Sequence, residues 1–168
     1  EITGDNPPFN NYVLVCAPHT SNWDFIYMLC VVLTRKMDVR WMGKQQLFKQ
    51  PFRWLMIWLG GIPIERSKTN NTVDSMVNAF NENQTLTLLI TPEGTRSKVR
   101  QWKTGFYHIA VAANVPIVLG YLDSRYNSCG FGPVFERSDN IDNDIEAIKQ
   151  HYKDMVGLRP DLGVIVDE

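Results

Sequence analysis

Residues 11–24 read NYVLVCAPHTSNWD. The run NYVLVCA is apolar and rich in residues that favour strands, and it stops at Pro18, so we predict a buried strand over Asn11–Ala17. The polar loop that follows leads into a helix predicted over residues 24–34. Because apolar side chains cover nearly the whole circumference of that helix, we expect it to be buried on several sides. The stretch is a strand–loop–helix unit with His19 and Asp24 at its junction.

The rest of the chain continues this alternation of strands and helices. Further strands are predicted at residues 39–42, 62–65, 86–90 and 115–122, with a hairpin-like stretch around residues 131–135. Helices are predicted at residues 51–59, 72–83 and 105–113, and a last one around Ile141, Ile145, Ile148 and Tyr152. The pattern predicts an α/β fold with one mostly parallel central sheet flanked by helices. With 168 residues and no repeat or linker, residues 1–168 are expected to form a single domain.

Composition and charge exclude several classes of protein. The chain is 44% hydrophobic and 21% charged, as in ordinary globular domains, and its three cysteines lack the spacing of a disulfide framework or a zinc site. Residues 35–103 carry 12 of the 17 basic residues between two acidic segments. This asymmetry indicates an anionic partner on one side of the molecule, the alternative being a solvated charge distribution without function. No motif indicates a nucleic-acid partner, and no apolar run approaches the ~20 residues of a membrane span.

His19 and Asp24 are candidates for acid–base chemistry. Residues five apart on one helix point about 140° away from each other, so the two side chains can meet only if His19 lies in the loop and Asp24 in the first helical turn. Asp24 would then accept from one imidazole nitrogen and leave the other free as a general base. The alternative is purely structural: Ser21 as the N-cap, with Asp24 favouring the helix dipole.

Two other strand ends carry charged residues. TPEGTRS, residues 91–97, fits a turn through Pro92 and Gly94, but a turn does not require Glu93 or Arg96. A carboxylate and a guanidinium beside a glycine can bind a hydroxylated, anionic substrate. In GGIPIER, residues 60–66, Arg66 suits a phosphate because its planar fork binds two oxygens, although it could equally form an exposed ion pair.

Taken together, these motifs resemble the four ordered blocks of the glycerolipid acyltransferases, the lysophosphatidate-acyltransferase-like enzymes. The blocks are His19-x4-Asp24, Gly60-x5-Arg66, PEGTRS at residues 92–97 and VPIV at residues 115–118, with Lys103-x-Gly105-Phe106 before the last. The resemblance is strongest over residues 12–122. The chain departs from it at Thr91, where an aromatic or apolar residue is common, and at Glu65, where Asp is frequent.

The resemblance implies roles for particular residues. His19 would be the catalytic base and Asp24 its orienting partner. The acceptor's glycerol phosphate would be held by Arg66, Glu93, Gly94, Thr95 and Arg96. It implies no metal and no cofactor beyond the co-substrate, acyl-CoA or acyl carrier protein.

The expected function is acyl transfer from an acyl thioester to a hydroxyl of a lysophospholipid or glycerol-phosphate-like acceptor. Two alternatives remain: a non-catalytic lipid-binding or membrane-binding module of the same fold, and an acyl-thioester hydrolase. Residues 51–59, PFRWLMIWL, lie near Lys44 and Lys49 and could form an interfacial helix on an anionic membrane, or a helix buried against the sheet. We expect a cytoplasmic protein, peripheral on the inner face of a membrane.

Overall fold

The structure, a computed structural model, describes residues 1–64, 69–138 and 140–166. Its strands are β1 (Ile2–Thr3), β2 (Asn11–Ala17), β3 (Val39–Lys44), β4 (Gly61–Ile64), β5 (Leu86–Ile90), β6 (Ile117–Asp123) and β7 (Ser128–Phe135). Its α-helices are α1 (Trp23–Arg35), α2 (Arg53–Trp58), α3 (Thr69–Glu82), α4 (Gly105–Ala112) and α5 (Ile141–Tyr152). Short 3₁₀ helices cover Gln45–Phe48 and Pro160–Leu162.

The strands form one sheet in the order β1-β7-β6-β2-β5-β3-β4. Every neighbouring pair is parallel except the β6–β7 hairpin, which confirms the predicted mostly parallel α/β fold. β2 lies between β5 and β6, with Val15 opposite Ile90. Because β2 and β5 are parallel neighbours, the loops that follow them emerge at the same edge of the sheet.

Helices cover both faces of the sheet. On one face, Phe80 of α3, Phe106 of α4 and Ile148 of α5 join the larger apolar core, and each is less than 5% exposed. On the other face, Phe25 of α1 and Met56 of α2 pack against a smaller cluster around β3. The alternating apolar residues of β3 thus hold α1 and α2 on one side of the molecule.

The predicted burial of α1 on several sides is wrong. None of its residues is buried, and Trp23 and Leu33 are 65% and 70% exposed. One side packs on the sheet, where the Phe25 and Trp41 rings are 4.8 Å apart, and among the described residues no element covers the opposite side. The apolar residues around α1 therefore form, on the side away from the sheet, an apolar surface that the described residues leave exposed.

The helix predicted at residues 51–59 spans Arg53–Trp58, and it too contains no buried residue. Trp54 and Trp58 are 68% and 74% exposed, which contradicts the alternative of a helix buried against the sheet. None of the described helices has both the length and the apolar character that crossing a bilayer demands.

The remaining elements follow the predictions with small differences at their ends. β5 has the predicted bounds, and the last helix is confirmed as Ile141–Tyr152. α3 begins at Thr69, three residues before the predicted start. The prediction missed these residues because they are polar and add nothing to the apolar stripe from which the helix was predicted. β1 was not predicted: two residues, paired with Cys129 and Gly130 of β7, are too few to form a pattern.

Candidate active site

His19 and Asp24 meet where β2 gives way to α1. His19 lies in the loop two residues after β2, and Asp24 is in the first turn of α1, as their spacing required. His19 Nδ1 is 3.0 Å from Asp24 Oδ2, and the two side chains are 24% and 11% exposed. Because a carboxylate only accepts hydrogen bonds, the neutral tautomer that fits this contact has its proton on Nδ1 and a lone pair on Nε2. This geometry can orient an imidazole for proton transfer, and the role of His19 as a base stays a prediction.

The Asp24 carboxylate also holds the loop around His19. Its Oδ2 accepts from the backbone N–H groups of Thr20 at 2.7 Å and Ser21 at 2.9 Å. The N-cap position falls on Asn22, which makes no side-chain hydrogen bond. Ser21 Oγ nevertheless accepts from the backbone N–H of Trp23 at 3.2 Å, so Ser21 and Asp24 also cap the start of α1, as the structural alternative expected. Asp24 points back into the loop, and one carboxylate oxygen fixes both the imidazole and the backbone beside it.

Glu93 lies behind the same loop. It belongs to the turn after β5, in which the N–H of Gly94 donates to the carbonyl of Thr91 at 3.1 Å. Glu93 is 8% exposed, and its Oε1 accepts from the backbone N–H of His19 at 2.9 Å. Its Oε2 is buried and finds no hydrogen-bond partner among the described residues. Burial raises the pKa of Glu93 to about 7, although the hydrogen bond from His19 opposes that shift.

Of the other predicted acceptor-binding residues, the structure describes Gly94, Thr95 and Arg96. Gly94 has a φ of +62°, a left-handed conformation that favours glycine, and it turns the chain outward after Glu93. Thr95 is half-buried and Arg96 is exposed. Arg66 lies outside the described residues. The structure therefore places Glu93 against His19, with Gly94, Thr95 and Arg96 following within three residues, and the roles of these residues in binding an acceptor stay predictions.

Sequence reasoning missed one residue of this site, Thr20. Its side chain is 2% exposed, and its Oγ1 accepts from the backbone N–H of Arg159 at 3.1 Å. The two residues are 139 positions apart, and no local pattern signals a contact over that separation. Within the described ranges, no group of three or more His, Cys, Asp or Glu side chains is arranged to hold a metal ion.

Comparisons with known proteins match this part of the chain. The family model described as Acyltransferase matches residues 1–119. The chain is similar to a protein named 1-acyl-sn-glycerol-3-phosphate acyltransferase from Haemophilus influenzae, with 33% identity over 65% of this chain and 47% of that protein. The Escherichia coli protein of the same name is 33% identical over 68% of this chain and 47% of its own length.

A similar match reaches an animal protein. The mouse 1-acyl-sn-glycerol-3-phosphate acyltransferase alpha is 31% identical over 67% of this chain and 40% of its own length. The chain thus spans about half the length, or less, of the curated relatives that it matches. The comparison with solved structures gives no match.

Proposed function

Because the chain belongs to the acyltransferase family, we propose that it transfers an acyl group from an acyl thioester, acyl-CoA or acyl carrier protein, to a hydroxyl of a lysophospholipid or glycerol-phosphate-like acceptor. The observation that carries this proposal is the 3.0 Å contact between His19 Nδ1 and Asp24 Oδ2. This contact leaves Nε2 free to accept a proton. An acceptor hydroxyl must lose its proton to such a base in order to attack the thioester.

In the proposed reaction, His19 Nε2 removes the proton as the hydroxyl oxygen attacks the thioester carbonyl carbon. The tetrahedral oxyanion collapses, the C–S bond breaks, and the imidazolium returns the proton to the departing thiolate. Asp24 stabilises the imidazolium while it exists and keeps Nε2 turned outward. No nucleophilic side chain is required, because the acceptor itself attacks.

We assign Arg66, Arg96 and Thr95 to the acceptor's phosphate, with Gly94 giving the phosphate access to the backbone. This assignment is supported by the positions of the residues. Glu93 accepts a hydrogen bond from the backbone N–H of His19, and the exposed Arg96 follows Glu93 by only three residues. A guanidinium can bind two phosphate oxygens at once. The relatives' printed names, which contain 1-acyl-sn-glycerol-3-phosphate, agree with an acceptor of this class.

We also propose that the exposed apolar side chains of α1, of α2 and of Phe52 just before α2, here called the apolar face, rest on an anionic membrane. Its members are Trp23, Ile26, Tyr27, Leu33, Phe52, Trp54, Ile57 and Trp58, all at least 43% exposed. Lys49 and Arg53 line a cleft of about 390 Å³ together with Ile57, so two cations lie beside one member of the apolar face. Anionic lipids favour such a surface, and they are enriched on the cytoplasmic leaflet, the location we propose.

The test of acyl transfer is thiol release from palmitoyl-CoA, and from palmitoyl-acyl carrier protein, with and without lysophosphatidate. We expect release that depends on the acceptor, and a fall of about 10²–10⁴ in His19→Ala. Asp24→Asn should fall by a similar factor because the pair acts as a unit. His108→Ala is the matched control, since His108 is exposed on α4.

Three outcomes separate the alternatives. Release without acceptor that still needs His19 would identify a thioester hydrolase. Near-normal turnover in His19→Ala would contradict the assignment of the base. Release by neither donor, with lysophosphatidate and other lysolipids as acceptors, would favour a lipid-binding module of the same fold.

A further inference from the structure

The loop that carries His19 contacts a segment from the far end of the chain. Residues 155–159, here called the bracing segment, follow α5 and lie beyond the residues that the acyltransferase family model matches. The backbone N–H of Arg159 donates to Thr20 Oγ1 at 3.1 Å. Gly157 approaches still more closely: a Cβ on Gly157 would lie 2.5 Å from Thr20 Oγ1 and 2.6 Å from Thr20 Cγ2. Only a glycine fits against Thr20 without movement.

The bracing segment is itself fixed to the end of β6, one of the central strands. Ser124, the residue after β6, shares its one hydroxyl proton between the carbonyls of Val156 at 3.0 Å and Gly157 at 2.9 Å. Its backbone N–H also donates to the carbonyl of Val156 at 2.8 Å. The segment therefore contacts the His19 loop from a position that the sheet determines.

Thr20 connects the segment to the His19–Asp24 pair. The Thr20 side chain accepts from Arg159, while its backbone N–H donates at 2.7 Å to Asp24 Oδ2, the oxygen that faces His19 Nδ1. A displacement of Thr20 would therefore lengthen a bond to the carboxylate that orients the imidazole. Misplacing a reacting group by ~1 Å can cost about 10²-fold in rate.

We propose that the bracing segment holds the His19 loop in its reactive geometry, with Gly157 and Thr20 as positioning residues that act through Asp24. This proposal rests on the proposed function of His19 as the base. It predicts that the contact affects turnover more than acceptor binding, because neither Gly157 nor Thr20 is assigned to the acceptor.

The test uses one steric variant, one hydrogen-bond variant and a control for each. Gly157→Ala inserts a methyl group against Thr20, and Gly163→Ala is its control, because a Cβ there would meet only Pro160 O at 3.9 Å. Thr20→Val removes the hydroxyl at nearly constant volume, and Thr20→Ser retains it. We expect Gly157→Ala and Thr20→Val to lower kcat by about 10–100-fold with KM changed less than threefold. Gly163→Ala should match the wild type, and Thr20→Ser should retain most of the turnover.

Amide hydrogen exchange at Thr20 and Ser21 gives a readout that needs no activity, because both N–H groups donate to Asp24. We expect at least tenfold faster exchange there in Gly157→Ala and Thr20→Val, with Val13 and Val15 of β2 unchanged. Unchanged exchange at Thr20 and Ser21 in both variants would overturn the proposal. If Gly157→Ala raises exchange throughout the chain, including Val13 and Val15, the result for Thr20→Val alone tests the proposal.

The two proposals fail in different ways. Wild-type protein without acyl transfer, but with the expected exchange pattern, would remove the proposed function and keep the contact between the bracing segment and the loop. If the wild type is active and both Gly157→Ala and Thr20→Val have a normal kcat, the positioning role is contradicted and the proposed function is retained.

Discussion

Glu93 is a carboxyl group that the fold buries behind the loop carrying His19. Burial raises its pKa from 4.5 to about 7, so the folded protein holds a proton that the unfolded chain releases above about pH 4.5. Stability contributed by this group is therefore greatest at low pH and is lost as the pH rises towards 7. The carboxylate makes one useful contact, to the His19 backbone, at a cost in stability at neutral pH.

We expect Glu93→Gln to remove this pH dependence, because glutamine stays neutral and can still accept from His19. The free energy of unfolding of Glu93→Gln minus that of the wild type should rise by up to about 3 kcal/mol between pH 4.5 and 7.5. Urea unfolding across that range measures the difference. Glu82→Gln, at an exposed position, controls for the loss of one negative charge. A difference that stays flat with pH would contradict a buried, protonated Glu93.

Arg96 offers a second test at the scale of a single side chain. If its guanidinium binds the acceptor's phosphate, Arg96→Ala should raise the KM for lysophosphatidate by about 10–100-fold, the equivalent of one hydrogen bond to a charged group. Lys98→Ala removes another exposed cation two residues away and should change KM little. Steady-state kinetics with varied acceptor gives both values. Equal effects of the two variants would reduce Arg96 to a member of a diffuse basic surface.

The helices divide according to what sequence alone could predict. α5 was predictable because Ile145 and Ile148 form a regular stripe, and both are buried against the sheet. α1 was predicted in position but not in burial. Its apolar residues on several sides have the same pattern whether a second protein layer or a surface outside the chain covers them. The local sequence pattern predicts that a helix forms. Only the three-dimensional structure shows which side of that helix is covered by the rest of the chain.

α2 carries the prediction at the scale of an element. If the apolar face rests on an anionic membrane, the protein should sediment with vesicles of phosphatidylglycerol and phosphatidylcholine, and less so as salt rises, since Lys49 and Arg53 contribute by charge. Trp58→Ala should weaken binding about tenfold or more, because a fully buried aromatic side chain contributes about 1.5–3 kcal/mol. Tyr126→Ala, which removes a 71% exposed ring between β6 and β7, is the control. Binding that ignores both salt and Trp58 would contradict the membrane contact.

At the scale of the whole molecule, the site is assembled from parts far apart in sequence. The meeting of His19 and Asp24 could be predicted, because both lie within one strand–loop–helix unit. The parallel order of β2 and β5 also brought Glu93 to the expected edge. The contacts of Thr20 with Gly157 and Arg159 could not be predicted, because they depend on how α5 packs across the sheet. Side chains that contact their partners through long-range packing leave no periodic signal.

Tyr152 shows how that packing is secured. It is fully buried at the end of α5, and its one hydroxyl proton is shared between the carbonyls of Val15 in β2 at 2.8 Å and Gly120 in β6 at 2.9 Å. Burial raises the pKa of Tyr152 well above its usual value, so the hydroxyl remains a donor at any ordinary pH. One side chain therefore fixes the last helix across two central strands.

We expect Tyr152→Phe to lower the free energy of unfolding by about 1–3 kcal/mol, because the hydroxyl bridges two buried carbonyls and the ring is unchanged in shape. Tyr126→Phe, at the exposed tyrosine, should change it by less than about 0.5 kcal/mol. Urea unfolding followed by both far-ultraviolet circular dichroism and tryptophan fluorescence measures the loss. If α5 belongs to the same cooperative unit as the sheet, both signals should shift to the same lower midpoint. A shift in one signal alone would mean that α5 and the bracing segment unfold separately, and the His19 loop would then lose its support before the sheet does.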